Sequence, residues 1–425
     1  MYKEKVLLFI KQLNFYHIIY IFMMFVYGFF STPTPNHIGT PEIIILILLV
    51  ILIYKNFLKF IKDLFNKKSI VIPKYISIPL ILYFIVFLTF YGLVVKENNL
   101  SDYIRDFIPF LYFLLPLFLS YFIIKNPKQW IFVLSFGLLI SGIGFMFQFY
   151  LDPTVKLNQI GFQFMLGQNK DNPWQEPSSV FAFSFFAGTT VYFLLKKSFF
   201  KFCFFGAIYL FFLLVYITTI SRAPIGLSLI TMIYVAWFVV PNHYKNKRLI
   251  KFFIIFLIIL FILFLYINNV ELIKHAFNLL LKKTEHAGIL NNRNIEILAV
   301  INNIHDIPSL IFGDGWGGLI ANPIGNGAMW RFVHNMIFYY IFKTGVLGLL
   351  IILIYLYWLL RSVVFIKEIN KLKFFYSITF VALFSPLIVA GVLEASYKSL
   401  TFGIVMSIFL AYYYFLKKVY YAKTK

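Results

Sequence analysis

The sequence contains a single cysteine, Cys203, so an intrachain disulfide is excluded. Cys203 sits in an apolar run and reads as a small hydrophobe. Charge is scarce too: Asp, Glu, Lys and Arg make up 13% of the residues, against roughly a quarter in a soluble domain. Acids are the scarcest, 16 against 38 Lys and Arg. His286 and His305 have no ligand-like spacing to any Cys or carboxylate cluster, which argues against zinc and leaves them as loop histidines. There is no Asp-x-Asp pair of the kind that holds a metal diphosphate, and no evident internal repeat, coiled coil or low-complexity tail. A disulfide scaffold, a zinc module and a highly charged soluble protein are all ruled out by this composition.

What fills the space is hydrophobic. Apolar residues account for 61% of the 425, with 55 Phe and 29 Tyr, and the aromatics read mostly as lipid-facing and interfacial residues. No soluble core holds so much. Twelve runs, near 12–30, 41–58, 76–95, 104–124, 129–150, 178–195, 202–220, 223–240, 250–267, 333–360, 374–393 and 400–416, approach or exceed the roughly 20 residues needed to cross a bilayer. The expected fold is an all-α polytopic membrane protein, a single transmembrane domain over 1–425 with about 12 transmembrane helices. The first run has basic residues before it and no small-residue cleavage site after it, and reads as an uncleaved spanning helix.

A formal net charge of +22 first suggests nucleic acid, but its distribution points elsewhere. Basic clusters precede the first run (Lys3, Lys5, Lys11) and then follow every second one, from Lys55–Lys74 to Lys417–Lys425. This is the positive-inside pattern, with both termini in the cytoplasm. On that topology 26 Lys and Arg face three acids (Glu4, Asp63, Glu368) inside, and 12 basic face 13 acidic residues outside. No nucleic-acid footprint remains. Two outer segments, 151–177 and 268–332, exceed ordinary connection lengths. The second, between the ninth and tenth spans, is rich in Gly, Asn and Trp and suggests a site on the outer face.

Few ionisable groups fall within the spans. Glu42, Arg105, Asp106 and Glu394 lie near the outer helix ends, and Lys343 is deeper in the tenth span. The most specific local pattern is His334-Asn335, nine residues, then Gly345-x-x-Gly348. On a continuous helix Gly345 falls about 20° from His334 and Gly348 about 40° to the other side. That face is either a groove for a neighbouring helix or a lipid tail, or a small-residue packing face below an idle interfacial His.

This motif resembles that of the O-antigen polymerase and O-antigen ligase superfamily of bacterial membrane glycosyltransferases. Phe312-Gly-Asp-Gly-Trp-Gly is similar to the family's Gly-rich stretch before the His. Ser221-Arg222-Ala223 resembles its Ser-Arg-Gly element, with Ala in place of Gly, and Glu176-Pro177-Ser178 resembles an element of polymerase-like members. The twelve-span layout is similar too, and the resemblance covers about 150–360. It implies a polyprenyl-pyrophosphate-linked glycan as donor, a sugar hydroxyl as acceptor, His334 as general base, outer-loop arginines on the pyrophosphate, and no metal or cofactor.

The residues suit those roles. Imidazole titrates near neutrality and can accept a hydroxyl proton. Guanidinium binds phosphate oxygens in a bidentate fork, which makes Arg222, Arg293 and Arg331 the pyrophosphate candidates; each reads alternatively as an interfacial anchor or a solvated loop charge. Glu176, Asn335, Asp314 and Trp316 are candidate sugar contacts, with a helix-start acid the other reading of Glu176 and loop packing that of Asp314 and Trp316. Gly345 and Gly348 would line the lipid groove. The expected function is a Wzy-type polymerase joining undecaprenyl-pyrophosphate-linked repeats at the outer face of the bacterial cytoplasmic membrane. Its partners would be membrane lipid, a chain-length regulator and a flippase, with no nucleic acid. An O-antigen ligase acting on lipid A core and a lipid-linked oligosaccharide flippase or transporter are the alternatives.

Overall fold

In lipid a chain segment has to satisfy its own backbone hydrogen bonds, and a helix does so within one run. The computed structural model of the protein describes residues 14–31, 39–65, 73–151, 176–219, 221–240, 293–321, 329–330 and 333–423. The chain is a polytopic all-helical membrane protein: among the described residues ten helices are long and apolar enough to cross a membrane. They are α2 (Thr40–Phe65), α3 (Lys74–Val95), α4 (Leu100–Lys125), α5 (Pro127–Leu151), α6 (Pro177–Leu195), α7 (Phe199–Thr218), α8 (Arg222–Val239), α11 (Met336–Leu360), α12 (Phe374–Leu393) and α13 (Leu400–Lys423). A shorter apolar helix, α1 (Phe15–Phe30), precedes them. Two short helices, α9 (Arg293–Asn302) and α10 (Ile307–Phe312), and an antiparallel pair, β1 (Ile320–Ala321) and β2 (Met329–Trp330), lie between α8 and α11. The expected ninth run, 250–267, and nearly all of 151–177 lie outside the described residues.

Two cores share one seam. The first is built mainly on α1, α2, α5, α6, α7, α8 and α12, the second mainly on α3 and α11, and α4 divides between them, with Leu119 and Ile123 in the first and Phe110 and Leu117 in the second. α13 serves both, sending Ile404 and Ile408 into the first and Phe402, Met406 and Leu410 into the second. α6 is the central post, 94% buried over its apolar window against 22% for α7. Small side chains make that possible by letting helices approach closely. A Cβ on Gly142 of α5 would lie 2.4 Å from the Ser178 carbonyl oxygen of α6, and Ser184 of α6 donates to Ser385 of α12 at 2.7 Å. Large apolar side chains such as Leu46, Phe90, Phe200 and Leu353 point outward, as lipid-facing helices require.

Breaks in the helices are repaired by neighbours. In α4, Pro116 has no N–H for the Tyr112 carbonyl, and the Leu117 N–H bonds Leu114 rather than Phe113. The released Phe113 carbonyl accepts the Tyr355 hydroxyl of α11 at 3.2 Å. Such repair is the condition for irregular backbone inside a bilayer. The α3–α4 turn, the start of α11 and the α12–α13 turn all meet at one end of the second core, through the contacts described next.

Candidate functional site

The largest break lies in α11. Gly345 has φ 65° and ψ −174°, a conformation essentially restricted to glycine. It interrupts the ladder and releases three carbonyls. Those of Phe342 and Lys343 accept the Asp314 and Gly315 N–H groups at 2.9 and 3.0 Å, and that of Thr344 accepts the Tyr83 hydroxyl at 2.6 Å. The Gly-rich segment after α10 is therefore docked edge-on into the broken helix. Gly313 and Gly315 take positive φ to make the turn.

Below this dock is a buried charge cluster. Asp106 of α4 meets the Lys343 ammonium at 2.5 Å, with relative exposures of 1% and 0%. Its other partners are Lys398 at 3.3 Å, the Tyr339 hydroxyl at 3.1 Å and the Gly317 N–H at 3.0 Å. Lys343 also donates to the Gly318 carbonyl. A buried carboxylate is tolerated only when paired and hydrogen-bonded, and all four contacts serve that end. They join α4, α11, the α12–α13 turn and the Gly-rich segment at one point.

Beside the cluster stands His334, two residues before α11. Its Nδ1 lies 2.9 and 3.0 Å from the two carboxylate oxygens of Glu296, and its backbone N–H donates to Glu296 Oε2 at 3.1 Å. Glu296 is buried because it shares the inward face of α9 with Val300, while Leu298 and Ile301 point out. A carboxylate only accepts, so Nδ1 carries the proton; in the neutral ring the lone pair then falls on Nε2. This is the arrangement of an oriented general base. Tyr397 ties the two parts together: its hydroxyl donates to the Val333 carbonyl at 2.7 Å and its ring lies 5.1 Å from that of Tyr339.

Several expected site residues take other places. His334 precedes the helix, so the continuous-helix angle to Gly345 and Gly348 does not apply. The expected lipid groove along those glycines is corrected: it is filled by the chain itself. A Cβ on Gly345 would lie 2.1 Å from the Ile311 carbonyl oxygen, and one on Gly348 would meet Thr344 and Tyr83. Trp316 is corrected as a sugar platform, being fully buried with its indole N–H bonded to the Phe84 carbonyl at 2.9 Å. Glu176 is also interior. It caps α6 through the Ser178 N–H at 2.7 Å and accepts from Ser178, Tyr27 and Thr401 side chains, which matches the helix-start reading instead of sugar contact.

Asn335 caps α11, accepting from the Ile337 and Phe338 N–H groups at 3.0 and 3.3 Å. The Asp314 carboxylate accepts from Asn303 at 2.6 Å and stands 3.9 Å from Lys96. Arg222 opens α8, a helix of the first core. Arg293 opens α9 one turn before Glu296, but its side chain, like Arg331, is outside what is described.

Glu296, Tyr339, Tyr397 and Lys398 were not singled out from sequence. The available signal for Glu296 was an acid within the apolar stretch Ile295–Ile301. Nothing local connected it with His334, 38 residues away. Comparison with family models, curated proteins and solved structures returned no match.

Proposed function

We propose that the protein is a membrane glycosyltransferase of the O-antigen polymerase type, joining oligosaccharide repeats carried on undecaprenyl pyrophosphate. The observation that carries this reading is the Glu296–His334 pair at one end of the bundle, with both carboxylate oxygens within 3.0 Å of Nδ1. Nε2 takes the proton of an acceptor sugar hydroxyl. The oxygen attacks the anomeric carbon of the donor, the C–O bond to pyrophosphate breaks, and the configuration inverts. Undecaprenyl pyrophosphate leaves with the electron pair. Glu296 stabilises the imidazolium formed in this step. Arg222, Arg293 and Arg331 are the groups proposed for the pyrophosphate, on an outer face assigned from the basic-loop pattern.

The test is incubation of purified, liposome-embedded protein with lipid-linked repeat and no lipid A core. A ladder of chain lengths is expected, and His334→Ala should abolish it with expression unchanged. A ladder from His334→Ala would remove the base from the mechanism. Transfer seen only after core is added would identify a ligase.

One observation favours a second reading. Asp106, Lys343 and Lys398 form the kind of buried ionisable cluster found along transport pathways. A transporter of lipid-linked sugar would move its substrate without making a glycosidic bond and would be indifferent to His334→Ala.

A further inference from the structure

Charge and polarity mark where the lipid-facing surface ends on this side of the bundle. α3 presents exposed Phe90, Val94 and Val95 up to its last residue, and polar Lys96, Glu97 and Asn98 follow. α11 presents exposed Ile337 in its first turn and exposed Val346 and Leu347 further along. Hydrocarbon therefore reaches the ends of both helices.

The α10 segment crosses that level. The chain turns in the exposed polar stretch His305–Asp306, runs through α10, and ends on the break in α11. Gly345 meets the Ile311 carbonyl, and Gly345 lies nine residues into α11, about 13 Å along the axis at 1.5 Å per residue. The Asp314 and Gly315 N–H groups bond Phe342 and Lys343, about 9–10 Å along by the same measure. Trp316 sends its indole N–H down to the Phe84 carbonyl, near the middle of α3, while its own carbonyl accepts from Asn98 just past the end of α3. Yet Ile307, Leu310 and Ile311, one face of α10 by their spacing, are 72%, 43% and 38% exposed.

We propose that Ile307–Gly318 is a re-entrant membrane segment, and that the Ile307/Leu310/Ile311 face contacts the acyl chains of the leaflet on the His334 side. The occupant is lipid because Phe312, at the end of α10, packs on Phe87 and Tyr91 of α3 at 5.1 and 5.8 Å, which sets the patch beside the exposed apolar belt of α3. The backbone meets the condition for such a segment. The Asp314 and Gly315 N–H groups at its turn are taken by α11 and that of Gly317 by Asp106, and the turn itself is packed inside protein, where non-helical backbone is tolerated at membrane depth. The proposal stands apart from the glycosyl-transfer reading. Only one consequence rests on that reading: an anchored donor would meet the base without lifting its lipid tail out of the bilayer.

The experiment uses the full chain with Cys203→Ser, since Cys203 is the only cysteine and is exposed. Single cysteines at Leu310, at Leu347 as the lipid control and at Asp306 as the aqueous control are spin-labelled in phosphatidylcholine–phosphatidylglycerol vesicles. Collision with oxygen, which concentrates in hydrocarbon, is compared with collision with a water-soluble nickel chelate. The oxygen-to-nickel ratio at Leu310 should match Leu347 and exceed Asp306 several-fold. Ile307→Cys provides a second reading of the same face. A ratio at both sites equal to that of Asp306 would overturn the proposal. Protection of both from either agent would mean that protein covers the face, and would overturn it as well.

Discussion

Gly345→Ala separates the two readings of the His-Asn…Gly-x-x-Gly motif. If Gly345 floored a lipid groove in a regular helix, alanine would be tolerated and would raise helix propensity by about 1 kcal/mol. The observed backbone, φ 65° and ψ −174°, costs a non-glycine residue about 1–3 kcal/mol. The new Cβ would stand 2.1 Å from the Ile311 carbonyl oxygen, closer than any real contact, and the atoms it meets are backbone and cannot swing aside. α10 has to withdraw. The Asp314 and Gly315 N–H groups then lose the Phe342 and Lys343 carbonyls, at about 1–3 kcal/mol for each buried group left unpaired. The loss is at least about 3 kcal/mol. Gly226→Ala in α8 is the control, because its Cβ meets nothing within 4 Å; it should be neutral or slightly stabilising. Thermal unfolding in detergent, followed by loss of the monodisperse peak on fluorescence-detected size exclusion, compares the two. An unfolding midpoint for Gly345→Ala equal to that of Gly226→Ala would refute the helix break.

Three further outcomes follow, the first and third from the proposed glycosyl transfer and the second from the buried charge pair. Glu296→Gln should lower turnover by about 10²–10⁴-fold with little change in KM, because the amide no longer fixes the Nδ1–H tautomer; unchanged turnover in the ladder assay would discard Glu296 as the positioning residue. Asp106→Asn leaves Lys343 buried without its counter-charge and should destabilise the fold by about 3–5 kcal/mol, and adding Lys343→Met should recover most of this; equal unfolding midpoints for the single and double variants would show that the two are not coupled. Arg222→Lys should shorten the glycan ladder, because an ammonium cannot reproduce the fork, and full-length ladders would free Arg222 of a pyrophosphate role.

The spans were legible because each is dictated by one strong constraint, the length of apolar chain needed to cross lipid. That constraint acts within a run, so it located α2 through α8 and α11 through α13 without any knowledge of their neighbours. The site obeys a different logic. Gly345 is read as helical by any rule that counts 100° per residue, and only the docking of Asp314 and Gly315, thirty residues earlier, shows that the ladder stops there. Trp316 and Glu176 looked like surface groups because both adjoin segments expected outside. Their burial depends on Phe84 and Thr401, which are distant in the chain.

The buried charges share a feature that a sequence does carry. Asp106 lies on the same inward stripe of α4 as Phe110 and Phe113, Glu296 on that of α9 with Val300, and Lys343 on that of α11 with Tyr339 and Tyr340. In each case a charge occupies a position where the period of the helix calls for an apolar side chain. Such a position is destabilising alone, since burying one charge without a partner costs several kcal/mol, so each implies a counterpart elsewhere. The period marks which residues must be paired but not with whom. The twelve other expected outer acids, Asp102 in the same helix among them, compete with Asp106 for Lys343, and only the meeting of α4 with α11 selects it. What the stripe does forecast is that Asp106 and Lys343 cannot be neutralised singly without cost to the fold. The three charges sit within hydrogen-bonding reach of the backbone that carries His334 or of the segment docked beside it. Loss of Asp106 therefore disturbs the segment docked beside His334 as well as the bundle, and stability and turnover should fall together in Asp106→Asn; Glu296→Gln keeps the side-chain shape and one acceptor oxygen, so turnover should fall there further than stability.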